Sequence, residues 1–413
     1  MASPFRRHAD FRSTQGFRME RGRTRVAYQR NPGFFERIGG GLVGIRVGIR
    51  VGLVLLVVGS CLLFWNEGRA VQTAMSLDEG LNMVVKLPNV QVVSMENNGK
   101  PVHLIGDLQT DRALSDPEYL VAVYAVKLNR VVEMYQWQEH VTERKYDEGN
   151  GQTRVEKEYS YSQTWSSSVI RSNGFDDSFN YRNPGSMPVE SKSYVAPNVN
   201  VGEFILSEGL KSRISNFKQL RMEHHHVSDR HDVRDGMIYH SADPVHPKIG
   251  DTRIKFESAG SSGKYQLEPQ TTVSIIARQL GAKLLPYQTL AGDVLEILYE
   301  GSYSAKEIFG KEKMQNSILT WEIRFGGWFL MFIGFGCLTS IVTTLVDWLP
   351  IIRGVVAMGV FLMNLSLSIS LSLTIIAIGW IFYRPLLGLS ILALALTPFI
   401  MSRMSAGSSR RID

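Results

Sequence analysis

The sequence predicts a multi-pass α-helical membrane protein with four spans and a large β-rich α+β luminal domain. Three observations carry this. Apolar blocks approaching or reaching membrane-spanning length lie near both ends of the 413-residue chain. Basic residues gather at the two termini around an acidic middle. Between the first and second blocks, runs of Val, Ile, Tyr and Phe bounded by turn residues read as strands. Bulk composition, at 44% hydrophobic and 20% charged, would equally suit soluble domains, so the blocks decide.

A basic tail is expected over residues 1–39. Residues 1–50 carry 11 Arg against three acids, and residues 402–413 carry three Arg against one Asp. The stretch 51–346 holds 29 Lys and Arg against 34 Asp and Glu. A uniformly basic nucleic-acid binder would not divide its charge this way, and no direct nucleic-acid partner is expected. The first span is placed at 40–65. Its apolar block, Val51–Trp65, has 15 residues, short of the roughly 20 a hydrocarbon core needs. The preceding GGGLVGIRVGIR completes it, with Arg46 and Arg50 reaching to the interface. Gly40, Gly44, Gly48 and Gly52 recur every four residues. Such a stripe either admits a close helix neighbour, with Gly44, Gly48 and Gly52 as association residues, or gives flexibility before the span. The long Arg-rich lead and the Asn66-Glu67-Gly68-Arg69 exit do not fit a cleaved signal peptide, so the block reads as a retained anchor.

The domain is placed at 66–325. Ser76-Leu77-Asp78-Glu79 has the form of a capping box opening a helix. Strand-like runs follow at 102–108, 120–128, 131–137, 253–258 and 273–279. Residues 131–146 and 152–168 flank Asp147-Glu148-Gly149-Asn150-Gly151 and predict a long hairpin. Val155, Tyr159, Tyr161 and Trp165 share one face of its second arm, which with Tyr135 and Trp137 predicts an aromatic core patch rather than a binding surface. Leu206, Leu210, Ile214 and Phe217 have helical spacing. A second capping box, Ser304–Glu307, starts a helix expected to run into the second span. Both cysteines, Cys61 and Cys337, lie in apolar blocks, so a packed core must hold this domain.

The second span is placed at 326–346, a cytosolic loop at 347–353, and the third span at 354–382. Tyr383-Arg384-Pro385 separates it from a fourth at 386–401, and a basic tail closes the chain at 402–413. Two basic tails on the cytosolic or nucleoplasmic side require an even number of spans and put the middle domain in the lumen. Within the third span, Ser366, Ser370 and Thr374 share one face while Asn364, Ser368 and Ser372 lie nearly opposite. With no charged residue or His in spans two to four, this ladder reads as helix association in preference to a pore lining, with Ser366, Ser370 and Thr374 as the association residues.

Six histidines fall between 224 and 246: His224, His225, His226, His231, His240 and His246. Their spacing matches no structural zinc pattern, so a solvated polar loop is expected. Gly106-Asp107, Gly250-Asp251 and Gly292-Asp293 read as turns. No phosphate-binding glycine loop, nucleophile elbow or HExxH occurs. The residues therefore predict no catalytic site, metal or cofactor.

Several long words resemble the transmembrane protein 43 (LUMA) family in order. They are Asn66–Ala70, SLDEGL at 76–81, LSDPEY at 114–119, VEMYQWQE at 132–139, NPGSMPVES at 183–191, Ile275–Gln279, TLVDWLP at 344–350 and GWIFYRPL at 379–386. The resemblance marks Asn66, Glu67, Gly68, Arg69, Glu133, Tyr135, Trp137, Asp347, Trp348, Tyr383, Arg384 and Pro385 as motif residues. It implies a four-span protein of the inner nuclear membrane and endoplasmic reticulum that organises complexes at the nuclear envelope. Emerin, lamins and SUN-domain proteins are the partners it implies, together with self-association. The alternative it leaves is an accessory component of a channel or signalling complex in the endoplasmic reticulum or plasma membrane.

Overall fold

A computed structural model describes residues 20–30, 34–147, 152–221, 232–263, 269–346 and 350–385. Its principal elements, in chain order, are β1 (Glu20–Arg30), α1 (Phe34–Met83), β2 (Ala125–Asp147), β3 (Gln152–Ser166), β4 (Thr252–Ser261), β5 (Thr272–Leu280), β6 (Ile297–Glu300), α2 (Ala305–Val346) and α3 (Pro350–Tyr383). The chain forms two compact units, one of Met1–Asn31 with Asp107–Thr272 and one of Pro32–Gly106 with Val273–Asp413.

The first unit is built on an antiparallel sheet in the order β1, β3, β2, β4, then the short strands 237–240 and 232–234. The expected hairpin is present: Tyr135 pairs with Trp165 and the ladder continues to Asp147 opposite Thr153. Its first arm starts earlier than expected, at Ala125. Alternation buries Val126, Leu128, Val132 and Met134 on β2 against Ile254 and Phe256 of β4. The run 120–128 is two strands divided at Tyr124, and Leu120 before them takes a left-handed φ of 54°. The helical spacing 206–217 yields only Glu208–Arg213, capped by Ser207, whose hydroxyl accepts from the Leu210 N–H at 3.2 Å. Ile214 ends that helix, and Ser215-Asn216 beyond it favour local side-chain hydrogen bonds over its continuation.

The N-terminal tail expected over 1–39 needs correction. Residues 20–30 form β1, which pairs antiparallel with β3 from Glu20 opposite Tyr161 to Arg30 opposite Gln152. Thr24 and Val26 face Glu158 and Glu156 across the ladder, and Arg25 is ion-paired with the buried Asp176 at 2.5 Å. Residues 20–30 therefore form a strand inside the expected tail, joined to β3 by backbone hydrogen bonds.

The second unit contains three helices long and apolar enough to cross a membrane. α1 holds the first expected span but runs on to Met83. The expected helix start at Ser76 is therefore corrected. Its hydroxyl bonds Thr289 Oγ1 at 2.9 Å, and the Glu79 carboxylate accepts from the Leu290 N–H at 2.9 Å, so both box residues hold a neighbouring loop. The Ser304 box is formed, with the Ser304 N–H donating to Glu307 at 2.7 Å, and α2 continues from it through the second span. α3 begins at Pro350, within the loop expected to reach 353, since proline suits the first helical position. Gly106-Asp107 lies inside the strand Pro101–Thr110 and is not a turn, whereas Gly250 and Gly292 are turns with φ of 98° and 114°. The polar end of this unit packs on Leu77, Ile276, Leu295, Ile297, Ile308 and Phe309. The fourth span at 386–401, the tail 402–413, Asp347 and Trp348 lie outside the described residues.

Candidate functional site

The motif Asn66-Glu67-Gly68-Arg69 sits where α1, α2 and α3 meet. α1 and α2 pack antiparallel in a fixed register. A Cβ on Gly52 would lie 2.7 Å from the Gly334 carbonyl, and one on Gly59 would lie 3.1 Å from the Gly327 carbonyl. Asn66 Nδ2 donates to the Thr320 carbonyl at 3.1 Å. Contact residues thus recur every seven positions on both helices, at 52, 59, 66 and at 334, 327, 320. Seven-residue spacing keeps one face inward when two helices supercoil, and small residues let the backbones touch. Gly48 joins this seam, 3.4 Å from the Cys337 carbonyl by the same measure. Gly44 lies on α1, but its surroundings are outside the described residues.

Above the seam the contacts turn polar. Asn66 and Glu67 are buried, and Glu67 accepts from Arg324 Nε at 2.7 Å and Nη2 at 2.8 Å. The Trp380 indole N–H also donates to Glu67, at 2.8 Å, which ties α3 to the pair. Arg324 is sandwiched near the rings of Trp321, at 4.9 Å, and Trp380, at 5.7 Å. Arg69 adds a second cross-link, donating to Asn316 at 3.0 Å, Thr320 at 3.1 Å and Asn66 at 3.2 Å. Gly68 leaves room for Tyr383, whose ring a Cβ would meet at 2.6 Å. Gly379 does the same for Glu67 at 3.0 Å. A bidentate carboxylate–guanidinium pair whose carboxylate also accepts an indole N–H offsets much of the cost of holding charge at a helix junction.

Trp65, Trp321, Phe325 and Phe382 are exposed around this junction, and Trp380 and Tyr383 lie among them. Such a girdle marks the membrane–water interface. Below it the helices present exposed Val51, Leu53, Val54, Val57 and Val58 on α1 and Phe361, Leu362 and Leu367 on α3. On α3 the small polar residues divide between two faces. Asn364, Ser368 and Ser372 are buried; Asn364 Nδ2 donates to Thr339 Oγ1 at 2.8 Å and Ser368 Oγ accepts from Trp328 at 3.1 Å. Ser366, Ser370 and Thr374 are exposed, and Thr374 Oγ1 donates to the Ser370 carbonyl at 2.8 Å. Arg384 and Pro385 are exposed just past the end of α3.

The other motif residues belong to the first unit. Glu133 accepts from Arg253 Nε at 2.6 Å, and that guanidinium lies 4.7 Å from the centre of Trp165. Tyr135 packs on Trp165 at 5.1 Å, and Trp137 meets Tyr181 edge-on at 4.9 Å. Asn183, from the NPGSMPVES word, accepts from the Trp137 N–H at 2.7 Å and donates to its carbonyl at 2.8 Å, so it acts as a clip on β2. In the LSDPEY word, the buried Arg130 pairs with Asp116 at 3.2 Å and Glu118 at 2.5 Å. Arg130 holds the Glu118 carboxyl below its usual range, and burial pushes the Tyr119 hydroxyl up to about 12. These contacts brace strands. Among the described residues no group of three His, Cys, Asp or Glu is placed to hold a metal ion. Of the expected histidine cluster, His240 lies 3.5 Å from the Tyr119 hydroxyl and His246 bonds Asp243 at 2.9 Å. His224, His225, His226 and His231 are outside the described residues.

Sequence reasoning missed Arg324, Gly59, Gly327 and Gly334. Glycines seven apart in two different apolar blocks were the available signal. A family model described as transmembrane protein 43 matches residues 134–385. Human transmembrane protein 43 is 44% identical over 384 residues, covering 92% of this chain and 94% of the human one. The mouse protein of that name gives the same identity and coverage. The Drosophila melanogaster homolog is 32% identical over 368 residues, covering 88% of this chain and 96% of its own. No solved structure matches. A membrane chain similar along nine-tenths of its length to these proteins belongs to the transmembrane protein 43 family.

Proposed function

We propose that this chain is a non-enzymatic scaffold of the inner nuclear and endoplasmic reticulum membranes. It organises protein complexes, helps maintain nuclear envelope structure and works as a homo-oligomer. Emerin-, lamin- and SUN-domain-type partners are taken from the family resemblance. One observation carries the scaffold reading. Three helices are clamped at Glu67, while the Ser366, Ser370 and Thr374 face of α3 is exposed among the described residues. A rigid, clamped bundle with an uncovered small polar helix face suits assembly in lipid. Proximity labelling from the tails should recover lamina and emerin-type neighbours, and crosslinking should trap oligomers that Ser370→Leu weakens. Unchanged assembly in that variant, or labelling that recovers no envelope protein, would remove this reading.

The same row of hydroxyls favours a second reading, an accessory component of a channel or signalling complex in endoplasmic reticulum or plasma membrane. Reconstituted liposomes then conduct and Ser370→Leu alters the conductance. A silent bilayer rejects the channel form.

A further inference from the structure

Beside the charged junction lies an open cleft of about 530 Å³, lined among others by Trp65, Arg69, Gln72, Asp293 and Tyr383. Its polar groups sit at graded heights. Along a helix that rises ~1.5 Å per residue, Arg69 is ~6 Å above the girdle residue Trp65 and Gln72 is ~10 Å above it. Gln72 Nε2 donates to Asp293 Oδ1 at 2.8 Å, which fixes the carboxylate at the outer level. Headgroup layers occupy roughly the 5–8 Å outside each face of the hydrocarbon core. Arg69 therefore lies at phosphate depth and Asp293 a few ångströms farther out, where a headgroup amine projects.

Arg69 also carries an unmet donor. Its two terminal nitrogens bond Asn316, Asn66 and Thr320, but Nε is buried without a partner. A buried N–H without an acceptor costs about 1–3 kcal/mol, more on a charged group. Arg69 and Asp293 both line the cleft.

We propose that this cleft seats the headgroup of a zwitterionic phospholipid, with phosphate at Arg69 and the ammonium at Asp293. The shared chemistry is a phosphate joined to an amine by a two-carbon link, and the occupant is the lipid because the cleft opens at the girdle.

The test uses the full chain purified in detergent, stripped of lipid and given phosphatidylethanolamine, phosphatidylcholine, phosphatidylglycerol or soluble phosphoethanolamine. Native mass spectrometry reads bound lipid and thermal unfolding reads protection. The expected result is one zwitterionic lipid per chain, held about tenfold more tightly than phosphatidylglycerol, the worth of one charged hydrogen bond. Asp293→Asn keeps the shape and the Gln72 bond, and should abolish that preference while leaving the lipid-free unfolding midpoint unchanged. Arg69→Gln should lower binding of all three lipids. Equal binding of the zwitterionic and anionic lipids, or an Asp293→Asn chain that keeps the preference, overturns the proposal. Protection by soluble phosphoethanolamine alone overturns the lipid assignment.

Discussion

Glu67→Ala removes a carboxylate that is 2% exposed and accepts three hydrogen bonds. The Arg324 side chain, 15% exposed, then remains between Trp321 and Trp380 with no counter-charge. Breaking one partner of a buried pair costs about 3–5 kcal/mol, because the survivor's desolvation is no longer offset. Partial exposure of Arg324 puts the expected loss near the lower end, about 3 kcal/mol. At ~2–4 °C per kcal/mol for a unit of this size, the unfolding midpoint falls by about 6–12 °C. Glu67→Gln keeps an acceptor for the indole and should lose about half as much. The decisive variant is Glu67→Leu combined with Arg324→Met. With both charges gone and volume kept, stability should return to within about 1 kcal/mol of the wild type. Thermal unfolding in detergent, followed by intrinsic fluorescence, reads all of this, since Trp321 and Trp380 flank the pair. Additive losses in the double variant, or a Glu67→Ala midpoint within about 2 °C of wild type, would refute the clamp.

Three further outcomes are expected. Gly52→Ala places a methyl 2.7 Å from the Gly334 carbonyl and should cost about 1–3 kcal/mol by the same assay, whereas Gly336→Ala, with open space around it, should be silent. His103 is buried, bonds the Tyr303 carbonyl at 2.9 Å, and burial holds its pKa below the ordinary 6.5. The folded state therefore favours neutral imidazole, and its contribution is present above pH 6.5 and lost as pH falls below that value; His103→Gln should flatten the midpoint's decline between pH 7 and pH 5. Ala27→Cys with Val155→Cys, opposite each other in the β1–β3 ladder, should form a disulfide in membranes, read as a mobility shift lost on reduction.

The hairpin, the strands at 102–108 and 253–258, and the three described apolar helices were legible because each is a local pattern repeated over many residues. What escaped was set by partners far along the chain. Glu67 meets Arg324 across 257 residues, and nothing near either position announces the other. Arg324 reads as an ordinary charge flanking a span. The Ser76 box has the local form of a helix start, yet packing of Leu77 on Phe309 and Ile308 carries α1 through it, and the two box residues turn to the 289–293 loop instead. The four-residue glycine stripe at 40–52 was visible, but the contact spacing between two helices is seven, and that period emerges only when Gly52 and Gly59 are set against Gly334 and Gly327. On α3 the period showed two polar faces, and Ser366, Ser370 and Thr374 were expected to associate; within the chain it is the other face that docks, with Ser368 on Trp328 and Asn364 on Thr339.

The N-terminal arginines show how one charge pattern supports two incompatible structures. Read by membrane topology, eleven Arg before a span stay cytosolic and the domain beyond is translocated. Read by strand pairing, the same stretch supplies an edge strand: nine residue pairs join β1 to β3, and Arg25 reaches Asp176. α1 is the one candidate span between the two strands among the described residues, so a single crossing by α1 and a closed ladder exclude each other. Each ladder bond contributes only about 0.5–1.5 kcal/mol net. Drawing several arginines back through hydrocarbon costs at least ~2.5 kcal/mol apiece. Whichever arrangement forms at insertion is then held by that barrier. The Ala27–Val155 disulfide reads that choice directly. A full-yield crosslink in sealed membranes places β1 with the polar unit. A chain that never crosslinks, with residue 27 labelled only from the face opposite residue 155, would mean that the ladder is opened by the bilayer.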